Sequence, residues 1–149
     1  MSDSSAVLEI DRPPAEVYAY VTDPLRFPRW QLDVVSVTPA VPGPIGLGSR
    51  FTTVRRIGSA DRATTQEITD LVPGVSWAAR GVDGPIRPDA TVTVTSLDGG
   101  ARTRLTLTLT FRGSGLGVAL LPLVRKAAAK GAPLSHANLK RLLDSHTED

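Results

Sequence analysis

The side chains of this sequence that could do chemistry are few and widely spaced. Arg55 sits in the alternating run Phe51-Thr52-Thr53-Val54-Arg55-Arg56-Ile57, where it shares one strand face with Phe51, Thr53 and Ile57. If Phe51 and Ile57 face a core, Arg55 faces it too, and a charge there needs a partner or a polar group on a ligand. Arg55 is therefore a candidate anchor for a carboxylate or phenolate. The plainer reading is an edge arginine whose stem covers apolar surface while its head reaches water. Gln66, Ile68 and Asp70 alternate with Glu67 and Thr69. A one-residue slip would exchange the two faces, so the pattern leaves open whether Gln66 or Glu67 points inward, or whether the polar set is a solvated face. Tyr18 completes a small group, with Arg55, Gln66 and Glu67, that could act as general acid, general base or oxyanion donor.

Other chemistries lack their parts. The two histidines, His136 and His146, have no third ligand at a useful spacing, so no metal site is expected. The chain has no cysteine, which excludes disulfides and thiolate catalysis. Gly46 and Gly48 lack the rest of a dinucleotide or phosphate loop and read as turn glycines. No motif groups a serine with a histidine and an aspartate. No cofactor is expected.

The elements that must position these residues follow from periodicity. Residues 6–11 read as a first strand. Pro14, Val17, Tyr18 and Val21 recur at helical spacing after Pro13-Pro14, predicting a short helix over 14–22 that Asp23-Pro24 ends. Leu25, Phe27 and Trp30 belong to a second short helix or turn. From residue 33 the period becomes two. Strands are predicted over 34–38, 51–57, 62–72, 75–81, 91–95 and 103–111, with turns at Gly58-Ser59, Pro73-Gly74, Gly84-Pro85 to Arg87-Pro88 and Asp98-Gly99-Gly100. The clearest is Leu105, Leu107, Leu109 and Phe111 alternating with threonines, the mark of a half-buried antiparallel strand. After Gly113-Ser114-Gly115, Leu116, Leu120, Val124, Ala127 and Gly131 form a helical stripe, which resumes as Leu139, Leu142 and Leu143. Gly131-Ala132-Pro133 should kink or interrupt that helix. Residues 1–5 and 147–149 read as loose ends of one domain.

The order is β-α-α-β6-α, an α+β arrangement in which short links make the sheet antiparallel. One helix about 10 Å wide cannot cover about seven strands spaced about 4.8 Å apart. The sheet must curl around the helix, and the curl can enclose a void, expected at the several-hundred-cubic-ångström scale usual for ligand sites. Candidate wall residues are Trp30, Phe51, Thr53, Arg55, Ile68, Trp77, Leu107, Leu109, Leu120, Val124 and Ala127. Alanine and glycine at 127 and 131 leave room, although small residues also serve close helix-to-sheet packing.

The charge balance, 17 basic against 15 acidic residues, is too even to argue for nucleic acid. Met1-Ser2-Asp3-Ser4-Ser5 has no basic region leading into an apolar run, and no stretch approaches the ~20 apolar residues of a membrane span, so the cytosol is the expected compartment.

The segment Ile10-Asp11-Arg12-Pro13-Pro14-Ala15-Glu16-Val17-Tyr18, followed by Asp23-Pro24 and Phe27-Pro28-Arg29-Trp30, resembles the opening of the START/Bet v 1-like superfamily, the polyketide cyclase/dehydrase or SRPBCC group. Gly46-Leu47-Gly48-Ser49-Arg50-Phe51, the stretch Gln66 to Gly74 with Trp77, and Leu139 to Asp144 resemble its later motifs in order. The resemblance implies a helix-grip fold with a pocket between sheet and last helix, and apolar ligands such as lipids, polyketides or polycyclic aromatics. It carries over no catalytic set. The first expectation is a binder or carrier of a small hydrophobic molecule, as a monomer or homodimer. The second is an aromatase/cyclase acting in the same pocket. The third, ranked last, is a membrane-surface or protein-interaction module built on Leu116–Leu123 with Arg125, Lys126 and Lys130.

Overall fold

A computed structural model describes residues 3–145; His146 and residues 1–2 and 147–149 lie outside the described part. Seven strands form one antiparallel sheet: β1 (Ser4–Ile10), β2 (Val34–Pro39), β3 (Arg50–Ile57), β4 (Ala60–Val72), β5 (Ser76–Asp83), β6 (Ile86–Leu97) and β7 (Arg102–Gly113). Their spatial order is β1-β7-β6-β5-β4-β3-β2. Helices α1 (Pro14–Val21) and α2 (Phe27–Trp30), joined by a 3₁₀ turn at Pro24–Arg26, cross from β1 to β2, and α3 (Gly117–Asp144) closes the open side. This is the helix-grip architecture, a curled half-barrel holding a long helix.

The alternation in β7 places Thr103, Leu105, Leu107 and Phe111 on the buried face. Leu105, Leu107 and Phe111 each contribute roughly 1.5–3 kcal/mol on burial. β-Bulges break the register between Thr65 and Gln66 and between Ile68 and Asp70 on β4, and between Val34 and Ser36 on β2. Each adds local twist and bends the sheet around the helix. They also settle the faces of β4, where Gln66 and Ile68 are buried at 3% and 1% exposure.

Three differences from the sequence reading have physical causes. Ser4 and Ser5 are not loose: they pair with Leu109 and Thr108, and Asp3 accepts a hydrogen bond from the Phe111 amide at 2.7 Å. β6 begins at Ile86, ahead of its alternating run, and contains Pro88. Pairing with β5 stops at Arg80 opposite Asp89, and the next β5 amide, Gly81, donates instead to the Asp89 carboxylate at 3.1 Å, so no donor is required of Pro88 on that side. Finally, α3 runs uninterrupted through Pro122 and Pro133. Both prolines and the residues four before them, Val118 and Ala129, are exposed, so the freed carbonyls lie on the solvent side where water can hydrate them.

Both ends of α3 are pinned. At its start, a Cβ on Gly117 would lie 1.8 Å from the Pro85 carbonyl oxygen. At its end, Leu139 and Leu143 are buried, Lys140 donates to the Glu9 carbonyl at 2.6 Å, and the Asp144 carboxylate accepts from the Asp11 amide at 2.8 Å. Two separate apolar clusters result. One gathers Ile10, Val17, Phe27, Trp30, Phe51 and Trp77 with Leu139 and Leu143; the other gathers Ile57, Ile86 and Phe111 with Val124.

Candidate functional site

Between these clusters lies a cavity of about 160 Å³. Its roof is the middle of α3, where Ala127, Ala128, Gly131 and Ala132 present almost no side chain. A Cβ added at Gly131 would meet nothing within 4 Å. The sheet supplies Ala90 and Val92 from β6, and Leu107, Leu109 and Phe111 from β7. Aromatic groups close the other side. Phe27 stands edge-on to Trp30 and to Trp77, with ring centres 6.1 and 6.2 Å away. Both indoles line the cavity, and the Nε1–H of each is buried without a hydrogen-bond partner.

The charged part of the wall gathers at one rim. Arg55 Nη1 donates to both oxygens of Asp33 at 3.2 Å, and the Arg56 amide donates to the Asp33 carbonyl at 2.8 Å. The Leu32 amide donates to Ser135 Oγ at 2.9 Å, tying the segment after α2 to α3. Gln31, Asp33, Arg55, Ser135 and His136 therefore lie together along this rim, which reaches solvent through the 44%-exposed Asp33 side chain. Burial pushes the His136 pKa below the ordinary histidine value, which favours neutral imidazole at neutral pH.

Deeper in, Gln66 Nε2 donates to the Pro88 carbonyl at 3.1 Å, which fixes the amide in the wall. Of the four acid, base or oxyanion candidates, Arg55 and Gln66 reach the cavity. Glu67 points to the outer face and pairs with Arg50 at 2.9 Å. The Tyr18 hydroxyl donates to the Ser76 carbonyl at 2.8 Å, and burial, followed by the nearby Asp70 charge, pushes its pKa up. Among the described residues no three histidine, aspartate or glutamate side chains cluster as metal ligands. None of the described helices is long and apolar enough to cross a membrane.

Residues 1–144 match the family model described as polyketide cyclase/dehydrase and lipid transport. The chain belongs to that family. No curated protein matches this member at a significant level. Solved structures share its fold. A START superfamily protein from Mycobacterium smegmatis is 15% identical with a TM-score of 0.76, covering 97% of this chain and 98% of its own. A Thermus thermophilus protein is 21% identical with a TM-score of 0.75, covering 96% and 98%. The Zhui aromatase/cyclase from a Streptomyces species is 14% identical with a TM-score of 0.72, covering 97% and 98%.

In this family member the wall contains Trp30, Arg55, Trp77, Leu107, Leu109, Val124 and Ala127 of the residues singled out from sequence. Phe51 and Thr53 lie one layer behind it, at 0% and 1% exposure. Leu120 packs against the cluster around Val124, beyond the end of the void. Ile68 faces a different hollow, an open groove of about 360 Å³ formed with the 3₁₀ turn and residues 43–45, and Trp77 divides that groove from the cavity. The groove brings few polar groups together; Asp23, its carboxylate, is occupied by the Leu25 amide at 3.0 Å.

The cavity is smaller than the several hundred cubic ångströms expected, which counts against a carrier of whole lipids or polycycles. The middle of α3 leaves space, but Phe27, Trp30, Trp77 and Phe111 fill much of the curl. Sequence reasoning also missed Asp33, Ser135 and His136. For the last two a signal existed: the stripe through Ala127 and Gly131, continued by one helical turn, arrives at Ser135, and Ala132 continued likewise arrives at His136.

Proposed function

We propose that this protein binds a compact, largely apolar molecule in the cavity beneath α3, with its polar end at the Arg55 rim. One observation carries the reading. The stretch of α3 that spans the sheet is built of alanine and glycine, and the space they leave is mostly apolar, with its charged groups gathered along one rim. A dry apolar cavity of about 150 Å³ accepts a ligand the size of benzene. The void here is about 160 Å³, which suits one ring or two small fused rings and excludes a full lipid or a four-ring polycycle unless α3 moves outward. The rim supplies one cation already held by Asp33, so a ligand carboxylate or phenolate would share or displace that partner.

The test is a calorimetric titration with single-ring probes, benzoate and toluene, against wild type and Arg55→Leu. Saturable binding of both to wild type, with selective loss of benzoate in the variant, supports the reading. Absence of binding by either probe rejects it.

A second reading, a cyclase-type enzyme, is favoured by one arrangement. Arg55 brings hydrogen-bond donors to the same void that the Gln66 amide and neutral His136 border. Such a set suits proton removal from a carbon next to a carbonyl, with the base at His136 and the enolate oxygen held at Arg55. Exchange of the α-hydrogens of a bound ketone for deuterium, abolished by His136→Gln with binding intact, is the expected signature. Unchanged exchange in the variant removes this reading.

A further inference from the structure

Leu120, Val124 and Ala127 turn one side of α3 to the sheet, yet the opposite side of the helix is not polar. Apart from Arg125, Lys126 and Lys130, every exposed residue of α3 from Val118 to Leu134 is alanine, valine, leucine or proline. Leu116, at the head of the helix, is 89% exposed, and Val118 and Leu134 are each 58% exposed. A helix that borders water ordinarily turns charged and polar residues toward it. A face this apolar marks a surface that meets another apolar surface. Its charge says which one. The sequence has no acidic residue between Asp98 and Asp144, so nothing on α3 before its last residue offsets the three cations. Arg125 pairs with Asp3 at 3.1 Å, whereas among the described residues Lys126 and Lys130 pair with no carboxylate. Two copies of the chain packed through this face would press like charges together, which disfavours a dimer there. Leucines beside lysines, with no acid among them, instead match an anionic bilayer: the apolar side chains enter the boundary below the headgroups and the lysines meet their negative charge.

We propose that the outer face of α3, from Leu116 to Leu134, docks on an anionic lipid bilayer. In this arrangement α3 lies along the membrane plane and stands between the lipid and the cavity. The proposal does not depend on what the cavity holds.

The test is co-sedimentation of the full chain with vesicles. Wild type is expected to bind phosphatidylcholine vesicles holding about one-third phosphatidylserine at least about tenfold more tightly than phosphatidylcholine alone. Lys126→Glu with Lys130→Glu is expected to weaken binding to the anionic vesicles at least about tenfold. Arg29→Glu with Arg104→Glu makes the same change in net charge at exposed residues elsewhere, and is expected to leave binding within about threefold. Leu123→Ser with Leu134→Ser keeps every charge and is expected to weaken binding about fivefold or more, a loss that adhesion by charge alone does not produce. These side chains are exposed, and melting curves of each variant confirm that it folds; wild type on the two kinds of vesicle decides if one does not. Absence of wild-type binding to anionic vesicles, or equal losses in the α3 and control charge variants, overturns the proposal. Self-association of wild type that the leucine variant abolishes, with no vesicle binding, overturns it in favour of a second copy on this face.

Discussion

Arg55 on β3 grips the carboxylate of Asp33, just ahead of β2, with one guanidinium nitrogen 3.2 Å from each oxygen. The pair closes the polar rim of the cavity, yet only the arginine is well covered: its side chain is 18% exposed against 44% for Asp33. An ion pair with so exposed a partner contributes little to stability, roughly 0–1 kcal/mol. Its effect on binding is larger, because Asp33 competes with any anionic ligand for Arg55. Asp33→Asn is therefore expected to strengthen benzoate binding several-fold and to change the melting temperature little. Calorimetry and a thermal melt of the same samples check both halves.

The glycines of α3 have opposite roles. Gly117 touches backbone, with the Pro85 oxygen 1.8 Å from the site of a new Cβ, whereas Gly131 faces open space. Gly117→Ala is expected to destabilise by at least about 2 kcal/mol, because the crowded atom belongs to the main chain and cannot swing away. Gly131→Ala is expected to stabilise by about 0.5–1 kcal/mol through helix propensity. Urea unfolding of the two variants checks the contrast, and equal effects would contradict the placement of α3.

Asp89 and Arg112 secure the place where β5 and β6 part. Arg112 donates to both Asp89 oxygens at 2.8 and 3.0 Å and to the Gly81 carbonyl at 2.8 Å. Burial works to raise the Asp89 pKa, but the Arg112 hydrogen bonds and the Gly81 amide outweigh it and hold the carboxyl below its ordinary value. The folded protein thus binds the proton less readily than the unfolded chain. The stabilisation is complete above about pH 4 and is lost as pH falls through the lowered folded value. Asp89→Asn is expected to flatten this acid limb in denaturation curves measured from pH 5 to 2.

His136 acts in a higher window. Its folded pKa lies below the ordinary value because burial penalises the charged ring. The unfolded chain takes up the proton first, so stability is full above about pH 6.5 and declines as pH falls toward the lowered folded value. His136→Gln is expected to remove this slope between pH 7 and 5 while leaving the Asp89 limb. A slope that survives the substitution would place the titrating group elsewhere.

Much of the frame was legible in the residues themselves. The leucine and threonine alternation of β7 and the helical stripe through Leu120, Val124 and Ala127 each admit one geometry, and the mismatch between one helix and seven strands requires the curl. The face of β4 was not legible, because a period of two reads equally well in either register until a bulge near Thr65 and Gln66 fixes it. Nor was the Arg55 partner. Asp33 lies 22 residues away in sequence, outside any strand pattern, and only the return of β2 alongside β3 brings them together. The size of the void was overestimated for a related reason: periodicity reports which way a side chain points, while volume depends on how far Phe27, Trp30 and Trp77 reach across the curl.

The most direct test of a ligand site beneath α3 fills the space without touching its chemistry. Gly131→Leu projects an apolar side chain into the void from a position with no neighbour within 4 Å. Thermal melts are recorded for wild type and variant with and without saturating toluene. The expected result is a ligand-induced rise in melting temperature for wild type and none for the variant, which itself melts no lower than wild type. An equal rise in both proteins, or no rise in wild type, would contradict the account.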